Sequence, residues 1–172
     1  MDALLEDRVM DDARIYVSRR GGECKVKVAG RATFAICPDL RDLVRSLDSD
    51  SLVSSGAVID LTECNGMDST FMGILAMFAL QARKLGVEIK ILNVSKSNRR
   101  LLDGLGLGGL FEFVDGAPIA DSAWDDDGVS SSSSSAETIL DAHKTLMEAD
   151  EGNVEKFKRV VDMVEKDVKG GK

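Results

Sequence analysis

Histidine, proline and tryptophan are nearly missing from these 172 residues, at one, two and one copies. His143 is the only histidine, so any Ser-His or Cys-His nucleophile and any histidine-rich metal site would need it, and it lies in a C-terminal appendage. Two prolines and 16 glycines exclude a fibrous or wholly disordered chain. Cys24, Cys37 and Cys64 are odd in number and hold no CxxC pair, which excludes a zinc knuckle and a disulfide framework and leaves small buried thiols in a reducing cytosol as the expectation. A long apolar run is missing too. The longest, residues 71–80, is too short to cross a bilayer. The start, Met1-Asp2-Ala3-Leu4-Leu5-Glu6-Asp7, is acidic where a secretory leader is basic, so a cytoplasmic protein is expected. There is no excess of basic charge. The net charge of −8 repels nucleic acid and anionic membrane, which excludes both as expected partners.

What is present is a globular mixture, 44% apolar and 30% charged, long enough for one domain and an addition. The charge is uneven. Residues 1–114 hold 16 acids against 15 bases, whereas residues 115–172 hold 14 against 7. Between the two parts run Asp115-Gly116-Ala117-Pro118, Asp125-Asp126-Asp127-Gly128 and six serines at 130–135. Such tracts bury too little apolar area to offset chain entropy. The expected organisation is a domain over 1–115 with its core at about 14–114, a flexible linker over 116–134 with Trp124 as a docking point, and a helical extension over 135–172.

The domain alternates strand and helix signals. Ile15-Tyr16-Val17-Ser18 and Cys24-Lys25-Val26-Lys27-Val28 flank a Gly21-Gly22 turn and predict a hairpin. Pro38 opens a helix carrying Leu40, Leu43, Val44 and Leu47. Ala57-Val58-Ile59-Asp60-Leu61 reads as a strand covered on both faces. Asn65-Gly66-Met67-Asp68 reads as a turn, followed by an apolar helix over 69–85 in which Phe71, Met72, Met77 and Phe78 are core. Strands at 87–92 and 111–114 enclose a helix over 97–105. The order β-β-α-β-α-β-α-β predicts an α/β fold with a mixed, mostly parallel sheet flanked by helices. Beyond it, Ser134 and Glu137 have capping-box spacing, and two apolar stripes follow. One comprises Ile139, Leu140, Leu146 and Met147; the other Val154, Phe157, Val160, Val161, Val164 and Val168. Helices of this length are marginal alone, so the pair must bury its stripes on itself, on the domain or on another chain.

Chemistry concentrates at Met67-Asp68-Ser69-Thr70-Phe71-Met72-Gly73. Taken alone, Asp68 and Ser69 read first as helix caps. The same helix start carries partial positive charge and free donors, so it can also hold a phosphate without unfolding the domain. In a parallel sheet the loops after the strands share one edge, which predicts Arg31, Thr33, Ser95 and Lys96 as neighbours of Ser69.

Three elements carry a family resemblance. They are Val58-Ile59-Asp60-Leu61; Met67-Asp68-Ser69-Thr70 with Gly73; and Asn98-Arg99-Arg100-Leu101-Leu102 leading to Gly106-Leu107-Gly108-Gly109-Leu110-Phe111. Residues 14–114 resemble the STAS domain of bacterial anti-sigma factor antagonists. The resemblance implies a STAS fold and a non-catalytic, cofactor-free module of a partner-switching pathway that regulates transcription. It implies that Ser69 is phosphorylated by an anti-sigma factor that is also an ATP-dependent serine kinase, and that a metal-dependent serine phosphatase resets it. The kinase supplies base and metal; the unmodified chain binds the anti-sigma factor. The implied partner-binding set is Asp68, Ser69, Thr70 and Phe71, with Arg31, Thr33, Ser95 and Lys96 around them. Two positions depart from the family pattern: Phe71 stands where glycine is usual, and Gly30-Arg31-Ala32-Thr33 replaces Gly-x-Leu-Asp.

Other signals are weaker. Gly104-Leu105-Gly106-Leu107-Gly108-Gly109 fits a dinucleotide pattern by letter but follows a helix instead of a strand. Asp125-Asp126-Asp127-Gly128 lacks the alternating ligands of a calcium loop. The alternative to a switch is a non-phosphorylated STAS scaffold subunit that assembles, with itself or another protein, through the C-terminal helices.

Overall fold

The computed structural model describes residues 13–20, 23–47, 56–120, 124 and 136–170. The expected glycine turn at 21–22, Ser134 of the capping box and most of the linker fall outside these residues. Strands β1 (Arg14–Arg20) and β2 (Glu23–Ala32) pair antiparallel, with Val17 opposite Val26. β2, β3 (Ala57–Asp60), β5 (Ile89–Leu92) and β6 (Phe111–Val114) pair parallel in the order β1-β2-β3-β5-β6. The predicted α/β class is present: a mixed, mostly parallel sheet flanked by helices, with two further helices after it.

One element differs from the sequence reading. Residues 64–67, expected as a turn, form strand β4 (Cys64–Met67), parallel to the far end of β2. β2 reaches it by a register shift between Gly30 and Arg31, and Gly30 has φ +85°, a conformation that favours glycine over any side chain. The Gly30–Ala32 segment is therefore strand, and only Thr33 remains of the loop expected there.

Helix α1 (Cys37–Ser46) starts with proline in its first turn and buries Cys37, Leu40, Leu43 and Val44. Helix α2 (Ser69–Lys84) buries ten residues between Thr70 and Ala82 and packs beside α1. Helix α3 (Lys96–Gly104) is amphipathic, with Leu102 in the core and Leu101 exposed. The buried Asn98 side chain donates to the Cys64 carbonyl at 3.1 Å and ties α3 to β4. Met77, expected in the core, is only partly buried and packs against it.

After β6 the chain stays on the sheet edge. The Asn93 side chain donates to the Gly116 carbonyl at 2.8 Å and accepts the Gly116 N–H at 3.0 Å. The Ile119 N–H donates to buried Asp60 at 3.0 Å. Gly116 and Ile119, assigned to the linker by composition, thus belong to the domain surface. Trp124 is buried, its ring 6.0 Å from that of Tyr16, so the indole expected as a docking point packs on β1.

Helices α4 (Ala136–Ala149) and α5 (Gly152–Gly170) form a hairpin broken at residues 150–151. α4 lies on α2, and α5 lies on α4. Ala142 and Leu146 join the core of the domain, while Phe157 packs at its margin. Val154 and Val160, read as part of the second stripe, are exposed.

All three cysteines are free and buried. Burial pushes the Cys24 thiol up to about 11, against an opposing pull from Arg19. It also pushes Cys64 up, despite hydrogen bonds that favour the thiolate. A raised thiol value leaves less thiolate at a given pH. At pH 8 the folded chain is expected to react with iodoacetamide at Cys24 about a hundredfold more slowly than the denatured chain, with labelling rising toward pH 11. Timed alkylation and mass spectrometry measure this.

Candidate functional site

Helix α2 begins at Ser69 because Asp68 caps it. Asp68 is extended (φ −100°, ψ 174°), and its Oδ1 accepts the Phe71 N–H at 2.8 Å. Its Oδ2 accepts the Phe34 N–H at 2.8 Å, and its own N–H donates to the Ala32 carbonyl at 3.0 Å. One carboxylate thus fixes two helix starts, α2 and the short 3-10 turn Phe34–Ile36, and joins the end of β2 to the site. Thr33 caps that 3-10 turn through its side chain. Cys37, at the start of α1, donates to the Thr33 carbonyl at 3.3 Å. Burial and then the Asp68 charge raise its thiol above the ordinary range and disfavour the nucleophilic thiolate.

Ser69 is the first residue of α2 and half-buried. Its Oγ lies 2.9 Å from Nε2 of His143 on α4. Nδ1 of His143 lies 2.7 Å from the Ile139 carbonyl oxygen, which can only accept. In the neutral ring the proton therefore sits on Nδ1, and Nε2 accepts from the Ser69 hydroxyl. The ring is also packed edge-on against Phe157 at 5.1 Å. One turn beyond Ser69, a Cβ on Gly73 would overlap the backbone of Ala142, so the two helices meet at van der Waals distance. Asp141 anchors α4 to α1 by accepting from Arg41 Nε at 2.8 Å and Arg45 at 2.7 Å. Asn153 donates to both the Leu105 and Leu146 carbonyls at 2.8 Å, and Lys156 donates to the Gly104 carbonyl at 2.8 Å.

A family model described as "Mlab, STAS domain" matches residues 15–114. The chain belongs to the STAS family. No curated protein matches it. The match spans the STAS domain from β1 to β6 and leaves the α4–α5 hairpin outside it.

Of the residues predicted at the STAS site, the structure brings together Asp68, Ser69 and Thr33. Two others point inward. Phe71 is fully buried and Thr70 is 5% exposed, so neither presents its side chain to a partner in this conformation. The apolar ring of Phe71 fills the core because the helix turn carries it toward the sheet. Arg31 is exposed with its stem along Gly66. It borders a hollow of about 570 Å³ with Asn65, Met67, Ser97 and Leu101. Ser95 caps α3, and with Lys96, Arg99, Arg100 and Phe113 it lines a second hollow of about 470 Å³. The predicted neighbourhood of Ser69 thus divides into three places. Among the described residues no cluster of three or more His, Cys, Asp or Glu is placed to hold a metal ion. Sequence reasoning missed His143 as a neighbour of Ser69, 74 residues away.

Asp68→Ala removes both caps and is expected to destabilise the chain by about 1–2 kcal/mol in urea unfolding. Asp68→Asn retains an acceptor and is expected to lose less.

Proposed function

We propose that this STAS protein is a phosphorylation-switched anti-sigma factor antagonist, with Ser69 as the acceptor. The observation that supports this reading best is the position of the Ser69 hydroxyl. It stands in the first turn of α2, half-buried at the domain edge, beside a carboxylate that organises both adjoining segments. A phosphate there meets the partial positive charge of the helix start and costs the β1–β6 domain little. It adds roughly −1.5 to −2 charges to the docking patch.

The chemistry belongs to the partner. An ATP-dependent serine kinase, itself the anti-sigma factor, brings the nucleotide, its metal and a base. Ser69 Oγ attacks the γ-phosphorus, the bond to ADP breaks, and the hydroxyl proton passes to the kinase base. A serine phosphatase returns the hydroxyl by hydrolysis. The unmodified chain holds the anti-sigma factor in the cytoplasm, and the sigma factor is free. Because each 1.4 kcal/mol is tenfold in affinity, a few kcal/mol at the patch switches binding. A purely scaffolding role through the C-terminal helices has less support. Their buried residues face α2 and each other.

Ser69→Ala is expected to stay bound to the anti-sigma partner in the presence of ATP. Ser69→Glu is expected to bind at least about tenfold more weakly in isothermal titration. Tandem mass spectrometry of the wild-type chain after incubation with that partner and ATP should place the phosphate on Ser69. An unmodified Ser69 would falsify the switch.

A further inference from the structure

Helical spacing puts Ser69, Gly73, Ala76 and Leu80 on one side of α2. α4 lies on α2 with Ala142 against Gly73 and His143 against Ser69. The hairpin that supplies these contacts lies outside the STAS match, and the segment before it, residues 125–135, is acidic and serine-rich. We infer that the α4–α5 hairpin is a cover built into the chain, occupying the Ser69 face so that a kinase reaches this serine only when the hairpin lifts. The inference rests on the switch at Ser69 proposed above and adds its control.

Three observations carry it. First, the contact is close. The imidazole occupies the space beyond Ser69 Oγ, and the Ala142 backbone leaves no gap for a methyl group at Gly73. A phosphorus with three oxygens on Ser69 is far bulkier than the hydroxyl hydrogen, and in the direction of His143 the imidazole stands in its way. Second, the cover is seated by Ala142 and Leu146, which join the core, and is tied down by discrete, reversible contacts. The Asp141 pair with Arg41 and Arg45, the Asn153 and Lys156 bonds to the Leu105 and Gly104 carbonyls, and the Ser69–His143 bond are all polar. Third, the cover carries the charge of the group it would meet. Residues 136–170 hold 9 acids against 6 bases, so the net negative charge of the hairpin opposes a phosphate beneath it. Phosphate and cover therefore exclude one another. By linkage, whatever lifts the hairpin favours phosphorylation, and phosphorylation favours the lifted hairpin to the same extent. The transfer itself is the one given above: phosphate from ATP to Ser69 Oγ, the proton to the kinase base, ADP released.

The test installs phosphoserine at position 69 of the full chain during synthesis, so no kinase is needed. Hydrogen exchange is then read by mass spectrometry. Amides of residues 136–170 are expected to exchange at least about tenfold faster than in the unmodified chain, while β3 and β5 keep their protection. Unchanged or slower exchange in the hairpin overturns the cover, the slower case meaning that His143 grips the phosphate. A second measurement follows Ser69 phosphate occupancy in the producing cells for the wild type and Leu146→Asp. That change unseats a fully buried hairpin side chain and lies outside residues 15–114, whose fold is checked by retained exchange protection of β3 and β5. Occupancy is expected to rise in Leu146→Asp. Equal, nonzero occupancy overturns the cover and leaves the switch standing. No phosphate on either chain overturns the switch and with it the cover's role.

Discussion

Helix α2 has apolar side chains all round, and that constraint organises the molecule. A helix of this kind has no face for water and must be enclosed. The sheet and α1 enclose one side of it. The other side, which begins at Ser69, is enclosed by α4 of the C-terminal hairpin. Left bare, it would be an apolar strip of the sort that attracts partners. The same physical need can thus be met by the chain's own hairpin or by another protein, and the Ser69 hydroxyl, proposed above as the acceptor, stands at the end of that strip.

Asp68 makes that end rigid. A carboxylate that caps two helix starts and sits on the β2 backbone holds the first turn of α2 against the sheet edge. Ser69 has no freedom to follow an incoming partner, so the partner must come to it. Rigidity on the domain side puts the motion proposed above in the hairpin, which is held by Ala142 and Leu146 in the core and by the polar ties of Asp141, Asn153 and Lys156.

Much of this was legible from residue pattern. Strands flanking Val26, Ile59 and Ile91 announced themselves by alternation or by continuous apolar runs, and Pro38 marked the start of α1. The cap at the start of α2 was readable because Asp-Ser at a helix start has a local physical meaning, whereas the acceptor role proposed for Ser69 came from the STAS resemblance. β4 was hidden because Asn65 and Gly66 are turn formers, and a two-strand pairing with the end of β2 overrode that preference. The inward direction of Phe71 was legible only once the helix phase was fixed. The pairing of His143 with Ser69 left no local trace: a half-polar helix after a serine tract carries no sign of which surface it will cover. What was visible was the need itself, two amphipathic stripes too short to stand alone.

The sole histidine offers a direct measurement. With the imidazole nitrogen-15 labelled, His143 gives one unambiguous set of ring signals by nuclear magnetic resonance. A closed hairpin predicts a ring with its proton held on Nδ1 by the Ile139 carbonyl, and an Nε2 whose shift moves when Ser69 becomes alanine. A ring that exchanges freely between tautomers, insensitive to the residue at 69, would contradict the account.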